Sequence, residues 1–505
     1  MFPDYYAEKN PDKTAVVMAT TGERISWMDL AHGSRRAANL FFHCGLRPGD
    51  HIAVFMDNHP RFIEVMWAAM RSGLFLTAVN RHLGVEEALY IIDDCDARAL
   101  VATAPLSEVA SSLPPRLPAV AHFFMVAGHT AGYKPYEKAI ATQPARTLDD
   151  EPLGEYMLYS SGSTGKPKGI IRSLSGRQVS QGHPIAKSFW GTPARVDESA
   201  VLLITSPLYH TAPLSFSLWT HQLGGSVVIQ EHFDPLQALE MIERYRVTHV
   251  VLVPTMFVRL LKLSAQERSR FDLSSLKVAV HGAAPCAPDI KQRMIEWWGP
   301  IIEEYYGGTE DNGLTYIRSH EWSLHRGSVG RAAVGSIHIM DDWGRELGPD
   351  KIGTIYFSGF PFAYHKDPDK TKAAHLPDGK STLGDLGYLD KDGYLYLVGR
   401  KDHVIISGGV NIYPQEVEDR LILHPMVQDV GVFGIPNEEY GEEVKAVVQV
   451  MEGVCPTPQL AKELIDYCRE GLAGFKCPKS IDFDTSLPRE PTGKLYKAKL
   501  RARYL

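Results

Sequence analysis

From about residue 25 to residue 310, stretches with apolar residues three and four apart alternate with short runs of β-branched and apolar residues. That is the pattern of helices and buried strands in turn. Pro235 to Arg246 reads as a helix, Thr248 to Val253 as a strand, and Met256 to Leu263 as a second helix. A further unit follows in strand-like Leu276 to Val280, a turn over His281 to Pro285, and a helical stretch from Pro288 to Trp298. Such alternation predicts parallel βαβ construction and an α/β fold. After about residue 330 the strands shorten and glycine turns separate them, as in Gly353 to Phe357, Gly387 to Leu389 and Tyr394 to Val398, with Asp392-Gly393 placed as a hairpin turn. A small β subdomain is expected over about 330–399. Beyond Gly399-Arg400-Lys401-Asp402 the strand and helix alternation resumes and runs into a basic tail. A domain boundary is therefore expected at 400–402, between a large N-terminal domain over 1–399 and a small α+β domain over 403–505.

The length of 505 residues suits about three folding units at roughly 150 residues each. Hydrophobic residues at 44% and charged residues at 22% exclude disordered, collagenous and coiled-coil classes. A net charge of −7 argues against a chain that holds nucleic acid by bulk charge, so any phosphate must be held locally. Six scattered cysteines show no C-x-x-C pair and no metal-ligand spacing, which points to a reducing compartment. The first thirteen residues are polar and lack the apolar core of a signal peptide. No apolar run reaches membrane-spanning length, since Arg71 interrupts Val65 to Val79 and Thr220, His221 and Gln222 interrupt the stretch after Leu214. A soluble, cytoplasmic protein is expected, with a homodimer left open.

The strongest local signal is Tyr159-Ser160-Ser161-Gly162-Ser163-Thr164-Gly165-Lys166-Pro167-Lys168-Gly169. Glycines let backbone N–H groups converge on one concavity, and the hydroxyls and lysines add donors, so the segment reads as a phosphate loop or as a Ser/Gly surface turn. It is not a Walker A loop, because two residues rather than four separate Gly162 from Gly165 and Pro167 follows Lys166. Tyr306-Gly307-Gly308-Thr309-Glu310 would deliver a hydroxyl and a carboxylate beside two glycines, a set that suits Mg²⁺ with a nucleotide or simply a solvated loop. Asp385, after Gly384, could accept two hydrogen bonds from a ribose diol, with Arg400 as a further donor. Near the end, Pro491-Thr492-Gly493-Lys494 sits in a tail with Lys497, Lys499 and Arg501 that would by default be a solvated basic surface.

These motifs, with Ser407-Gly408-Gly409 inside the run from Gly399 to Glu418, stand in the order and approximate spacing of the adenylate-forming enzymes. The chain resembles that superfamily over essentially its whole length: acyl- and aryl-CoA synthetases, adenylation domains of peptide synthetases, and firefly luciferase. The resemblance implies ATP, Mg²⁺ and coenzyme A, and a carboxylic acid that attacks the α-phosphate before a thiol captures the adenylate. It implies a clamp for the leaving phosphates from Ser161, Gly162, Ser163, Thr164, Gly165 and Lys168. Gly282, Ala283 and Ala284 would lie along the adenine, with Tyr306 stacked on it beside Gly307. Thr309 would touch the α-phosphate, Glu310 would hold Mg²⁺ with Thr164, and Asp385 and Arg400 would hold the ribose.

By the same resemblance Lys494 bridges the carboxylate and the α-phosphate. His210 lies at the acyl pocket and governs access of the thiol, its alternative being a core histidine bonded to backbone. Asp402 is the hinge about which the C-terminal domain turns. Ser407, Gly408 and Gly409 would then lie beside the pantetheine arm, with Lys476 near CoA phosphates or simply solvated. The acyl pocket is assigned to His210, Phe216, Met256, His281 and Gly308. The chain departs from the common pattern in Gly379-Lys380-Ser381-Thr382-Leu383-Gly384-Asp385, where an aromatic residue and a basic one often precede, and in His281 ahead of Gly282. The expected activity is that of an AMP-forming ligase joining a fatty, aryl or alicyclic acid to CoA. Loading of a carrier protein's pantetheine is the nearest alternative. A non-catalytic nucleotide-binding protein ranks below both, since Lys494, Glu310 and Asp385 are all present.

Overall fold

The runs VLLI, SVVI and HVVL are apolar on both faces, which suits strands covered by helices on both sides. In the computed structural model, which describes residues 1–160, 166–489 and 493–505, they lie at the centre of a nine-stranded sheet. Its strands are β1 (Thr14–Met18), β2 (Arg24–Ser26), β3 (Val201–Ile204), β4 (Ser226–Ile229), β5 (His249–Leu252), β6 (Val278–His281), β7 (Ile302–Tyr306), β8 (Leu314–Ile317) and β9 (Arg331–Val334). They run in the order β9-β8-β7-β6-β5-β3-β4-β1-β2. The six from β7 to β1 pair in parallel, and β8, β9 and β2 add antiparallel edges. A second, six-stranded sheet pairs in parallel throughout and includes His51–Phe55, Phe75–Ala78 and Ala97–Thr103. One continuous core joins the facing sides of the two sheets through helices Trp27–His43, Pro60–Met70 and α1 (Thr211–Gln222). The fold is mixed α/β, as the alternation of pattern predicts.

The helices begin where the sequence supplies a start. Asp234 accepts from the Gln237 N–H and Pro235 opens Pro235–Arg244. Proline likewise opens α2 (Pro254–Leu261) and α3 (Pro288–Trp298). A separate core on the outer face of the nine-stranded sheet packs α2 and α3 against β5 and β6. The strand expected over Leu276 to Val280 forms as β6 and runs on to His281, so His281 belongs to the strand rather than to the turn. Four antiparallel strands follow between Ser336 and Arg400, the last two being Ser381–Leu389 and Leu395–Arg400. Lys401–His403 forms a single 3₁₀ turn. Beyond it, a further sheet of Ile405–Ser407, Val410–Ile412, Val427–Asn437, Gly441–Val450 and Ser480–Phe483 carries its own apolar core, with helices Pro414–Leu421 and Pro458–Gly471. Among the described residues no helix is long and apolar enough to cross a membrane.

Candidate active site

Period-two alternation along β7 places Tyr305 on the side of the core shared by both sheets and Tyr306 on the opposite side. Both tyrosines border one cavity of about 1000 Å³ that passes between the nine-stranded sheet, the strands around Asp385 and the C-terminal residues. Thr309 and Glu310 line it from the loop after β7, His210 from the start of α1, and Lys494 from the far end of the chain. Ala283, Ala284, Gly307, Gly308, Asp385 and Arg400 line it too. Residues as far apart in sequence as His210 and Lys494 thus meet in one space.

The pair Asp385 and Arg400 face each other across the two strands that carry them. Tyr306 donates its hydroxyl hydrogen to Asp385 Oδ2 at 2.7 Å, and Arg400 Nη2 donates to the Leu383 carbonyl at 2.9 Å. Burial raises the Asp385 pKa and Arg400 opposes that rise. Burial, then Asp385, also lifts the Tyr306 phenol well above its ordinary value, so it stays a donor. Thr211 Oγ1 and Thr309 Oγ1 hydrogen-bond at 3.0 Å, which ties the first turn of α1 to the loop after β7. Tyr364 donates to Glu310 Oε1 at 3.0 Å, and Lys370 sits 4.1 Å over the Tyr364 ring with its pKa lowered by burial. Neither Tyr364 nor Lys370 stands in a segment with a recognisable spacing, and the sequence offers no signal for them. The Glu310 carboxylate, on the cavity wall, fits a Mg²⁺ ion that keeps waters and phosphate oxygens as its other ligands. Its expected companion Thr164 lies outside the described residues, with Ser161, Gly162, Ser163 and Gly165.

Lys168 flanks the cavity rather than lining it, and its ammonium pairs with Asp367 at 2.7 Å. Gly282 is buried, and a Cβ there would lie 2.5 Å from the Tyr305 ring, so that ring dictates glycine. Ala283 follows in a left-handed conformation, φ +66°, which turns the chain out along the cavity edge.

Two residues assigned to the acyl pocket are not on its wall. His281 occupies the strand position whose side chain points to α2 and α3, where it lies edge-on to Phe257 at 5.0 Å and 3.5 Å from Glu304. Burial and the nearby Lys291 push its pKa well below the ordinary value, so it is neutral. Met256 falls on the core face of α2 with Phe257 and Leu260. The face of α2 toward the cavity is instead Thr255, Val258, Arg259 and Lys262, at the spacing of one helical stripe. Phe216, by contrast, lines the cavity, together with Trp219 one turn later. Trp219, and Asp311 on the cavity wall with Arg172 behind it at 2.8 Å, escape sequence reading because nothing in their spacing joins them.

The C-terminal residues meet the rest of the chain here. Gly493 adopts φ +82°, and a Cβ on it would lie 2.5 Å from Thr255 Oγ1, so only glycine lets the segment bearing Lys494 pass α2 this closely. Lys262 Nζ donates to the carbonyls of Val427 and Gln428 at 3.0 and 3.3 Å. Asp402 lies in the 3₁₀ turn, 3.5 Å from Arg400. Ser407, Gly408 and Gly409 are not on the cavity wall, and Lys476 is held by Glu416. Ile406, Val410 and Tyr440, around that glycine turn, are exposed apolar side chains.

A family model described as AMP-binding enzyme matches residues 4–361, and one described as AMP-binding enzyme C-terminal domain matches residues 416–494. A feruloyl-CoA synthase from an Amycolatopsis species is 33% identical over 516 aligned residues, covering 100% of this chain and 98% of that one. A fatty acid–[acyl-carrier-protein] ligase, ScoC of Streptomyces coeruleorubidus, is 28% identical, covering 99% of this chain and 95% of that one. Among solved structures, ATP-bound MatB from Rhodopseudomonas palustris is 28% identical and superposes with a TM-score of 0.84, covering 100% of this chain and 99% of that one. The apo form of the same protein superposes with a TM-score of 0.73. Matched across most of its length, the chain belongs to the AMP-binding enzyme family and groups with the AMP-forming acyl- and aryl-CoA ligases of the adenylate-forming superfamily.

Proposed function

We propose that the protein activates a carboxylic acid with ATP and passes the acyl group to coenzyme A. In the first half-reaction a carboxylate oxygen attacks the α-phosphorus, the bond to the β-phosphate bridging oxygen breaks, and pyrophosphate leaves. In the second, the CoA sulfur attacks the acyl carbon, the thiol proton is lost and AMP departs. The observation that carries this reading is the meeting of Lys494 with Thr309, Glu310, Asp385 and Arg400 in one cavity. Two anions must approach in the first step, and a cation between them relieves their repulsion most in the transition state. Lys494 takes that role. Tyr306 flanks the adenine, while Asp385 and Arg400 hold the ribose. Thr309 orients the α-phosphate. Mg²⁺ held by Glu310 would neutralise phosphate charge.

The closer likeness to ATP-bound than to apo MatB supports reading this arrangement as the one for adenylation. The second half-reaction then needs a different face. We place the hinge at Asp402, in the turn that links residues 1–399 to residues 403–505. Ile406, Val410 and Tyr440 are apolar surface left uncovered in the present arrangement, which suits a face that docks after rotation and brings Ser407, Gly408 and Gly409 to the pantetheine. His210 would guard that entry. Lys476 would have to leave Glu416 to meet a CoA phosphate. All six thiols are free, which suits a cytoplasmic setting.

Pyrophosphate and AMP release, measured with ATP, Mg²⁺ and a panel of acids with and without CoA, tests the reading. Acid-dependent pyrophosphate, with thioester only when CoA is added, is the expected result. Pyrophosphate without CoA thioester would point to a carrier protein's pantetheine as acceptor. No pyrophosphate with any acid would defeat the ligase reading.

A further inference from the structure

Along α1 the residues Thr211, Ser215 and Trp219 recur every four positions and so share one face of the helix. All three line the cavity. Thr211 is bonded to Thr309, where the reacting carboxylate belongs on the reading above. At 1.5 Å per residue, Ser215 lies about 6 Å and Trp219 about 12 Å further along the helix. The wall at that depth is aromatic. Phe216 meets Trp219 edge-on at 5.5 Å and Tyr305 at 5.4 Å, and Phe189 meets the same two rings at 5.8 and 6.3 Å. Trp190 backs Phe216 at 4.4 Å. Rings packed this closely leave little freedom to open a channel for a long alkyl chain, and their faces and edges suit another flat ring.

Ser215 interrupts that wall with a polar group in a defined state. Ser215 Oγ is 2.9 Å from the Tyr156 hydroxyl, which is 3.1 Å from Asp311 Oδ2, where Arg172 Nη1 also donates at 2.8 Å. A carboxylate paired with a guanidinium only accepts, so the Tyr156 hydrogen points to Asp311 and the Ser215 hydrogen points to Tyr156. The Ser215 oxygen then has only lone pairs left to offer. Resting on the ligase reading, we infer that the acid is a single-ring aryl acid carrying a hydrogen-bond donor, a phenolic hydroxyl or ring amine, on the end of the ring far from its carboxylate, and that Ser215 accepts from it. A benzene ring with a para heteroatom spans about 6 Å from the carboxyl carbon, close to one turn of α1. A fatty chain longer than about 12 Å would run into Trp219.

The test compares kcat/KM for pyrophosphate release across benzoate and cinnamate, their 4-hydroxy, 4-amino and 4-methoxy derivatives, and dodecanoate. The intact chain should prefer the 4-hydroxy or 4-amino acid to its methoxy counterpart by roughly tenfold, the value of one hydrogen bond of about 1.4 kcal/mol. Ser215→Ala should erase that ratio while keeping turnover of the unsubstituted acid. Tyr156→Phe should narrow it from the other side, because the freed Ser215 hydrogen can then be given to a methoxy oxygen. A merely structural role for Tyr156 would lower all acids alike. Trp219→Ala should raise the relative rate with dodecanoate. Dodecanoate preferred by the unaltered protein, or a ratio that survives in S215A with an unchanged thermal melt, overturns this inference and leaves the ligase reading intact. Absence of pyrophosphate with every acid removes both.

Discussion

At the end of the cavity proposed for the nucleotide, Tyr306, Thr309 and Glu310 come from one segment, and Asp385 and Arg400 from two facing strands. The end proposed for the acid draws Phe189, Ser215, Trp219, Tyr305 and Asp311 from three separate segments and depends on Tyr156 and Arg172 behind them. On that proposal the first end meets groups that any ATP presents alike, so short stretches of backbone and a few fixed side chains suffice. The second must fit a particular acid. Its specificity resides in packing between distant parts of the chain.

The comparison can be broken most forcefully from behind the acid end. Arg172 is the cation shared by Glu155 and Asp311, all three being largely buried, and burial lowers its pKa less than Asp311 and Glu155 raise it. Arg172→Met should leave two buried carboxylates without the guanidinium they share and cost about 3–5 kcal/mol of stability, measured by denaturant unfolding. All eight tryptophans lie at or before Trp343, so their fluorescence follows that region alone. An unchanged midpoint would mean the ion cluster is incidental. Lys494→Ala should slow adenylation by about 10²–10³-fold. The variant should still convert supplied acyl-adenylate and CoA to thioester, and equal loss of both steps would displace Lys494 from its role.

Asp385→Asn should raise the KM for ATP by about tenfold, the scale of a hydrogen bond to a charged group, and leave the order of preference among acids unchanged. A shifted acid preference would show that the two ends are coupled. Asp402→Pro should hold adenylation within a few fold while thioester formation falls further, since proline fixes φ at the turn. A further effect expected is one of pH. Burial raises the Asp419 pKa to about 7 in the present arrangement, where it lines the cavity from the C-terminal side. If rotation returns Asp419 to water, its pKa falls toward 3.8. The rotated arrangement then binds fewer protons, so the present one is favoured below about pH 4 and loses ground as pH rises to about 7. Asp419→Asn should flatten that dependence in a fluorescence measurement of the two arrangements.

The same contrast explains what was legible in the sequence. The α/β alternation, the helix starts at Pro235 and Pro288, and the segments holding Tyr306, Asp385 and Lys494 could be read because local chemistry specifies them. Met256 and His281 could not be placed, since which face of α2 carries Thr255, and whether β6 includes residue 281, depend on packing against Phe257 and Lys291. Trp219, Asp311, Arg172, Tyr364 and Lys370 carry no local signature at all.

The adjacent tyrosines of β7 have a consequence for how such a protein can change over generations. Because Tyr305 and Tyr306 project to opposite sides of one strand, a substitution at the first would alter the wall proposed for the acid while the second keeps its bond to Asp385. Selectivity can therefore drift by single steps without loss of ATP binding. A one-residue insertion or deletion within β7 has no such neutral path, since it would exchange the two faces at once and spoil both ends together. Variation in this lineage should accumulate as replacements around β7 and α1, and shifts in strand length there should be purged.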